Sequence, residues 1–334
     1  MKKIRNILLI TVAIVLTGII SAAVAIAAYT PPVKNVYNIE DRGSQPRTEN
    51  VENVLFLGMD REAGLTDVIM LIGVNKDSGV ITLLQIPRDT YAEYTDGSYR
   101  KLNGAYNSLG GAKEVAEFLS DSWGIEIDRY MCIGLDTFGD VVDALGGVDI
   151  DLPSDMKYSD PEQGLYIDLK AGKQTLDGKT AQHFVRFRSD YANGDLGRID
   201  AQKLFMSSFF QTLCDKFSPV TAAKLVTVAE GVETNIGVSD MLELCSAALD
   251  MGGDGILFAT LPGKEVTATV SGASYYSISA PAVYELTDLY FGRKNDFDRE
   301  KKFLNEKYDS FRLIYENYAE YKVCSVSDIL RDGI

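Results

Sequence analysis

Three observations predict an α/β domain built on a mixed sheet covered by helices. Short apolar runs of strand length alternate with segments of helical periodicity. Two of the runs are joined by a tight turn, which makes them antiparallel, and others are separated by a helix, which calls for a crossover. Residues 51–58, 68–75 and 80–86 are the first three strand-like runs, and Lys76-Asp77-Ser78-Gly79 between the last two suits a hairpin turn. Over 111–123, Ala112, Val115, Ala116, Leu119 and Trp123 recur at helical spacing. A strand over 130–135, a helix over 137–145 and, after Gly146-Gly147, a strand over 148–152 follow. Asp177 stands where it can cap a helix running to about Arg186, and Leu196 or Arg198 opens another that continues through Phe210. Beyond Arg293 the chain is charged and helix-favouring, with Phe303, Tyr308, Phe311, Tyr315 and Tyr318 set to form a packing face.

The N-terminus predicts where this domain works. Residues 1–6 are basic and short. Residues 7–28 are apolar apart from Thr11, Thr17, Gly18 and Ser21, enough for the about 20 residues that cross a hydrocarbon core. Lysine and arginine on the N-terminal side put that end in the cytoplasm and the rest outside. The small residues over 21–28 also offer signal-peptidase-like sites, but the run is longer than a signal h-region, so a retained single-pass transmembrane helix is the expectation. Residues 29–50, with Pro31, Pro32, Gly43 and Pro46, read as a stalk; 51–292 as the extracellular domain; 293–334 as a helical C-terminal extension. Cys132, Cys214, Cys245 and Cys324 form no C-x-x-C pair, and free buried thiols are expected of them.

The formal net charge is -15, yet arginines gather in three stretches beside glycines and acids: Gly58-Met59-Asp60-Arg61 with Asp67, Pro87-Arg88-Asp89, and Arg186-Phe187-Arg188 followed by Asp195-Leu196-Gly197-Arg198. Local arginine in an acidic chain points to a site for a multiply charged anion, and the nearby carboxylates suit a divalent cation that shares the anion's charge. Acidity argues against nucleic-acid binding. No G-x-x-x-x-G-K-[ST] loop and no G-x-G-x-x-G fingerprint is present. The single histidine, His183, excludes an H-E-x-x-H zinc site and reads as a packed helix residue rather than a triad base.

From Asn53 to about Gln202 the order of motifs resembles the LytR-CpsA-Psr family of membrane-anchored glycopolymer ligases. The matching pieces are Leu57-Gly58-Met59-Asp60-Arg61, Thr66-Asp67-Val68, Ile86-Pro87-Arg88-Asp89-Thr90, Lys101-Leu102-Asn103-Gly104-Ala105-Tyr106, Leu145-Gly146-Gly147-Val148, Gln174-Thr175-Leu176-Asp177-Gly178, Arg186-Phe187-Arg188 and Gly194-Asp195-Leu196-Gly197-Arg198 with Gln202. Each is weak alone; their number and order make the match specific.

The resemblance implies a three-layer α/β/α domain with an apolar pocket for a polyprenyl chain and a charged mouth for its pyrophosphate. It implies Mg2+-dependent transfer (Mn2+ being the alternative ion) of a glycosyl-phosphate polymer from an undecaprenyl-pyrophosphate-linked donor to peptidoglycan, at the cell membrane of a Gram-positive-type cell. Carried over by position, Asp60 and Asp67 would hold the metal, and Arg61, Arg88, Arg186, Arg188, Arg198 and Gln202 would contact the pyrophosphate. Arg88 and Asp67 are the expected catalytic pair, with Asp67 or Asp89 as candidate acceptor of the hydroxyl proton. The chain departs from the family pattern at Leu65 and Ala201, where many members carry arginine. A noncatalytic lipid-pyrophosphate binder or regulator and a polyprenyl-pyrophosphate hydrolase are the competing readings.

Overall fold

The hairpin expected around residue 78 joins two central strands of the sheet. In the computed structural model, which describes residues 50–61, 63–94, 98–160, 165–187, 195–267, 272–292 and 321–332, the Asn75 side-chain oxygen accepts from the backbone N–H groups of Asp77 and Ser78 at 2.9 and 3.0 Å. Gly79 sits at φ +76°, a conformation that costs a glycine nothing. This turn joins β2 (Leu65–Asn75) to β3 (Ile81–Ile86), and β2 also pairs antiparallel with β1 (Val51–Asp60).

The chain continues through β4 (Tyr91–Glu93), β5 (Tyr99–Lys101), α1 (Ala105–Leu109), α2 (Ala112–Trp123), β6 (Arg129–Gly134), α3 (Leu135–Leu145) and β7 (Val148–Leu152). A hairpin of β8 (Met156–Asp160) and β9 (Leu165–Leu169) precedes β10 (Gly172–Leu176), α4 (Gly178–Arg186), α5 (Asp195–Lys216), α6 (Pro219–Val228) and β11 (Glu233–Thr234). The remainder is α7 (Val238–Met251), β12 (Ile256–Thr260), β13 (Gly263–Thr267), β14 (Ser274–Ile278), α8 (Ala280–Tyr290), β15 (Val323–Ser325) and α9 (Val326–Asp332).

Seven strands form the central sheet in the order β11-β6-β1-β2-β3-β12-β15. The β1–β6 and β3–β12 pairs are parallel and the others antiparallel, so the sheet is mixed, as the alternation of hairpins and crossovers requires. One face, from Leu55, Leu57, Leu71 and Leu84, packs on Leu119 and Trp123 of α2 and Val283 and Leu286 of α8. The other, from Met70, Leu83 and Phe258, packs on Phe210 of α5 and on Val326 and Ile329 of α9. Helices therefore cover both faces, giving three α/β/α layers. Asp177 caps α4 as expected, its Oδ1 accepting from Thr180 N at 2.8 Å.

The structure extends β1 to Asp60 and begins β2 at Leu65, beyond the strands read from the apolar runs, because the cross-strand ladder persists where the sequence turns polar. The segment after 293 contributes a strand: β15 pairs with β12 and finishes the sheet edge. The aromatic residues expected to pack over 303–318, the transmembrane run over 7–28 and the stalk lie outside the described residues, except Asn50. Among the described residues no helix is long and apolar enough to cross a membrane. Cys132, Cys214 and Cys324 are free thiols, Cys132 buried, and burial raises its pKa to about 11. Cys245 has no side-chain description.

Asn53, 1 % exposed, ties the start of β1 to two distant segments, donating to the carbonyls of Glu126 at 2.7 Å and Phe291 at 2.8 Å. Asn53→Ala strands two carbonyl groups at the base of the sheet, and urea unfolding should show a loss of about 2–4 kcal/mol.

Candidate functional site

At the far end of β1 the sheet departs from regular pairing. Gly58 faces Val68, but the next residue, Met59, faces Thr66, so Asp67 is the extra residue of a bulge. Gly58 is required there: a Cβ on it would lie 2.9 Å from the Val68 Cβ. In a regular strand Asp67 and Val68 would point to opposite faces. The bulge lets both line one cavity.

That cavity holds about 400 Å³. Its walls are apolar and come from β1 and β6 (Phe56, Met131, Ile133), from α3 (Phe138), from α5 (Phe205, Phe209) and from α6 and α7 (Leu225, Met241). Its polar lining includes Asp60, Asp67, Arg186 and Gln202. Asp60 ends β1, where its Oδ1 accepts from Ala63 N at 3.1 Å; Arg186 ends α4; Gln202 is on α5 and 5 % exposed.

Two further arginines reach the site through Asp67. Arg88, just past β3, places Nη1 2.5 Å from Asp67 Oδ1. Arg198, one turn before Gln202 on α5 and only 3 % exposed, donates from Nη1 to the Asp67 backbone carbonyl at 3.0 Å. The bulge thus offers its side chain to one guanidinium and its carbonyl to another. Arg88 is held from behind as well, since its carbonyl accepts from Asn103 N at 2.9 Å and Asn103 O accepts from Thr66 Oγ1 at 3.1 Å.

The other expected residues fall differently. Arg61 packs over Gly134, where a Cβ would lie 3.0 Å from its Nε, and it stands at the rim rather than in the cavity wall. Arg61 also acts electrostatically on Tyr106, whose hydroxyl donates to Glu233 at 2.6 Å; that bond raises the phenol to about 12. Asp89 receives Lys101 Nζ at 2.8 Å, with Arg88 Nε at 3.8 Å, so it braces the loop after β3. Arg188 lies outside the described residues. Of the two departures, Leu65 faces Asp60 across β1–β2, and Ala201 lines a separate cleft of mixed polarity on another side of α5. Burial, then the cationic neighbours Lys179 and Arg186, lower the His183 pKa below the ordinary histidine value, in keeping with a packed neutral side chain.

Two carboxylates at one mouth fit Mg2+ in particular, which is commonly held by one or two carboxylates with the rest of its octahedron from water and substrate phosphates. Among the described residues no group of three or more histidine, cysteine or acidic side chains forms a cage for a metal. The arginines suit the same ligand, since guanidinium forks match phosphate oxygens. Sequence reasoning did not find the cavity wall. Phe205, Phe209 and Leu213 recur at helical spacing on α5, a signal that core packing would give equally.

The Arg88–Asp67 contact is three-quarters or more buried on both sides. A double-mutant cycle with Arg88→Ala and Asp67→Ala on the unfolding free energy should return a coupling of about 1–2 kcal/mol, between the surface and interior cases. A coupling near zero would mean the pair does not hold the bulge.

Known proteins are similar to this chain in sequence and in fold. Polyisoprenyl-teichoic acid–peptidoglycan teichoic acid transferase TagV of Bacillus subtilis is 32 % identical over 202 residues, 58 % of this chain and 51 % of the relative. The TagU transferase of Oceanobacillus iheyensis is 27 % identical over 70 % of this chain and 73 % of its own length. This chain spans about half the length of several of the relatives it matches, TagV and the cell wall biosynthesis protein LcpA of Corynebacterium glutamicum among them. The crystal structure of Bacillus subtilis TagV superposes with a TM-score of 0.60 at 27 % identity, over 71 % of this chain and 94 % of that one. The Streptococcus agalactiae protein gbs0355 shares the fold, with a TM-score of 0.65 at 20 % identity. The LytR_cpsA_psr family profile matches residues 20–290, so the chain, with its bulged Asp67, its arginines and its apolar cavity, belongs to the LytR-CpsA-Psr family.

Proposed function

We propose that this protein transfers a glycosyl-phosphate polymer from an undecaprenyl-pyrophosphate-linked donor to a hydroxyl of peptidoglycan, with Mg2+ at Asp60 and Asp67. The observation that carries the reading is the joining of an apolar cavity of about 400 Å³ to a mouth of two carboxylates and arginines. A prenyl chain gains by leaving water in proportion to its area, while its pyrophosphate needs charge at the rim. The relatives TagV and TagU, named as polyisoprenyl-teichoic acid–peptidoglycan teichoic acid transferases, support the same substrate class. The apolar run over 7–28 would hold the domain at the outer face of the cell membrane, beside both substrates.

In the reaction, the acceptor oxygen attacks the phosphorus bearing the sugar. The bond from that phosphorus to the bridging oxygen breaks, and polyprenyl phosphate leaves. Arg88, Arg186 and Arg198 are placed to meet the charge that grows on the phosphate oxygens, Gln202 supplies a neutral donor, and Asp67 is the carboxylate to which the hydroxyl proton passes. Bound Mg2+ supplies Lewis-acid charge neutralisation to the pyrophosphate. Because Arg88 and Arg198 already rest on Asp67, they are oriented before substrate arrives.

The test gives the full chain in detergent Mg2+, labelled lipid-linked glycan and peptidoglycan oligomers, with products read by mass spectrometry. Polymer joined to peptidoglycan is expected. Free phosphorylated glycan would make the protein a hydrolase, and unchanged bound lipid would make it a binder.

Arg88→Ala should lower turnover on the order of 10²- to 10³-fold with the fold intact, the scale of a removed oxyanion donor. Asp67→Asn should raise the Mg2+ concentration giving half-maximal rate, and activity surviving excess chelator would overturn the metal assignment. Donor affinity should fall as the prenyl chain is shortened, by at most about 0.8 kcal/mol per buried CH2. Affinity independent of length would leave the cavity without that ligand.

A further inference from the structure

Strand β3 is buried at every position, yet it carries a carboxamide near its end. Gln85 is 2 % exposed and sits between Met70 of β2 and Thr260 of β12. An apolar residue is the ordinary occupant of such a place, since a buried carboxamide costs free energy unless its hydrogen bonds are made. Gln85 lies on the sheet face covered by α5, and its Nε2 donates to Gln202 Oε1 over a long 3.5 Å. Two polar atoms of this buried pair, Gln85 Oε1 and Gln202 Nε2, have no hydrogen-bond partner among the described residues. Gln202 lines the cavity beside Asp67 and Arg186, whereas Gln85 does not reach the lining.

We infer that Gln85 is a positioning residue for the anion site: by engaging the Gln202 oxygen from the sheet side, it turns the Gln202 amide N–H groups toward the cavity mouth, where they donate to the pyrophosphate of the ligand. A carboxamide is a donor at one end and an acceptor at the other, and its two ends are similar in size. Packing alone holds it weakly in either sense. In the wrong sense Gln202 would present a carbonyl to an anion. A donor behind the oxygen fixes the sense, because turning Gln202 alone would set its amide N–H groups against those of Gln85, a mismatch that the buried setting makes costlier. The cost of placing Gln85 in the core is offset when ligand engages the Gln202 donor. Only the ligand's identity rests on the function proposed above; the orientation of Gln202 does not.

The test compares wild type, Gln85→Met, Gln85→Glu and Gln202→Met in the full chain in detergent, with geranylgeranyl diphosphate as probe. Gln85→Met keeps the volume and removes the donor. Its melting temperature should stay close to that of wild type, because the half-satisfied Gln85 carboxamide leaves the core while the Gln202 oxygen loses its donor, and probe affinity should fall roughly 10- to 100-fold, the loss of one hydrogen bond to a charged group. Adding Gln85→Met to Gln202→Met should weaken binding no further. Gln85→Glu separates positioning from packing. Protonated, its carboxyl donates to the Gln202 oxygen and should bind the probe as wild type does at pH 5; ionised, it attracts the Gln202 amide and should approach Gln85→Met by pH 8, both measured relative to wild type. Neutron diffraction of ligand-free, deuterated crystals, which tells amide nitrogen from oxygen, should show the Gln202 carboxamide turned in Gln85→Met. An unmoved Gln202, additive losses in the double variant, or a fall in affinity matched by a fall in melting temperature would overturn the assignment. Failure of wild type to bind the probe, with Gln202 turned in the variant structure, would instead count against the prenyl-pyrophosphate reading and leave the positioning role standing.

Discussion

The site depends on one irregularity in the β1–β2 ladder. With regular pairing past Gly58, Asp67 would point to the face that packs on α2, and its carbonyl would be engaged in the ladder. The bulge turns the carboxylate toward the cavity and gives the carbonyl to Arg198. Gly58 permits it, since any Cβ there would collide with Val68. Two cations from distant parts of the chain then converge on one residue, Arg88 from the end of β3 and Arg198 from α5. These contacts hold the residue that the register shift leaves without a cross-strand partner, and bulges of this kind are common beside functional sites.

Convergence of this kind is also how a strongly acidic protein would hold the proposed anion site. Its net charge of -15 opposes anions at long range. Screening removes most of that field beyond about 8–10 Å at physiological salt, and what a bound phosphate meets is the local set of guanidinium groups. Asp67 has a second use here. It keeps Arg88 from folding back on the protein elsewhere, so that the cation is oriented at little entropic cost when ligand arrives.

Much of the fold was legible because periodicity and turn chemistry reflect forces local to each segment. The Asn75 turn, the α2 apolar stripe and the Asp177 cap all follow from a few neighbouring residues, and each was found near its true place. The mouth was legible in part. Asp60, Asp67, Arg186 and Gln202 do line one cavity, but motif order could not tell that Arg61 would fold over Gly134 or that Asp89 would hold Lys101. Those outcomes depend on which way a side chain turns at a strand end. Asp67's register depends on a one-residue slip that no composition signal marks. Gln85 was invisible for a different reason: within an apolar run a single glutamine reads as noise, and its meaning appears only when α5 is laid across it.

The same helix explains why the cavity, implied by the family resemblance, could not be assigned its wall residues from the sequence. Helix α5 is enclosed by the sheet on one side, by the β7–β10 layer on another and by the cavity on a third, so its apolar residues occur all round and its pattern reads as plain core. Traced along the cavity side alone, it carries a gradient. Gln202 lines the polar part, one turn after Arg198, and Phe205, Phe209 and Leu213 follow at three- and four-residue steps, so that the lining from Gln202 to Leu213 runs about 16 Å at 1.5 Å per residue. An amphiphile with an anionic head and an isoprenoid tail has the same sequence of polarity along its length. A helix can present such a gradient without breaking its own hydrogen bonding, whereas a strand would have to alternate faces to do so. Weighing the proposed ligand against α5 therefore requires the axis along which its side chains are laid, where periodicity alone supplies only a face.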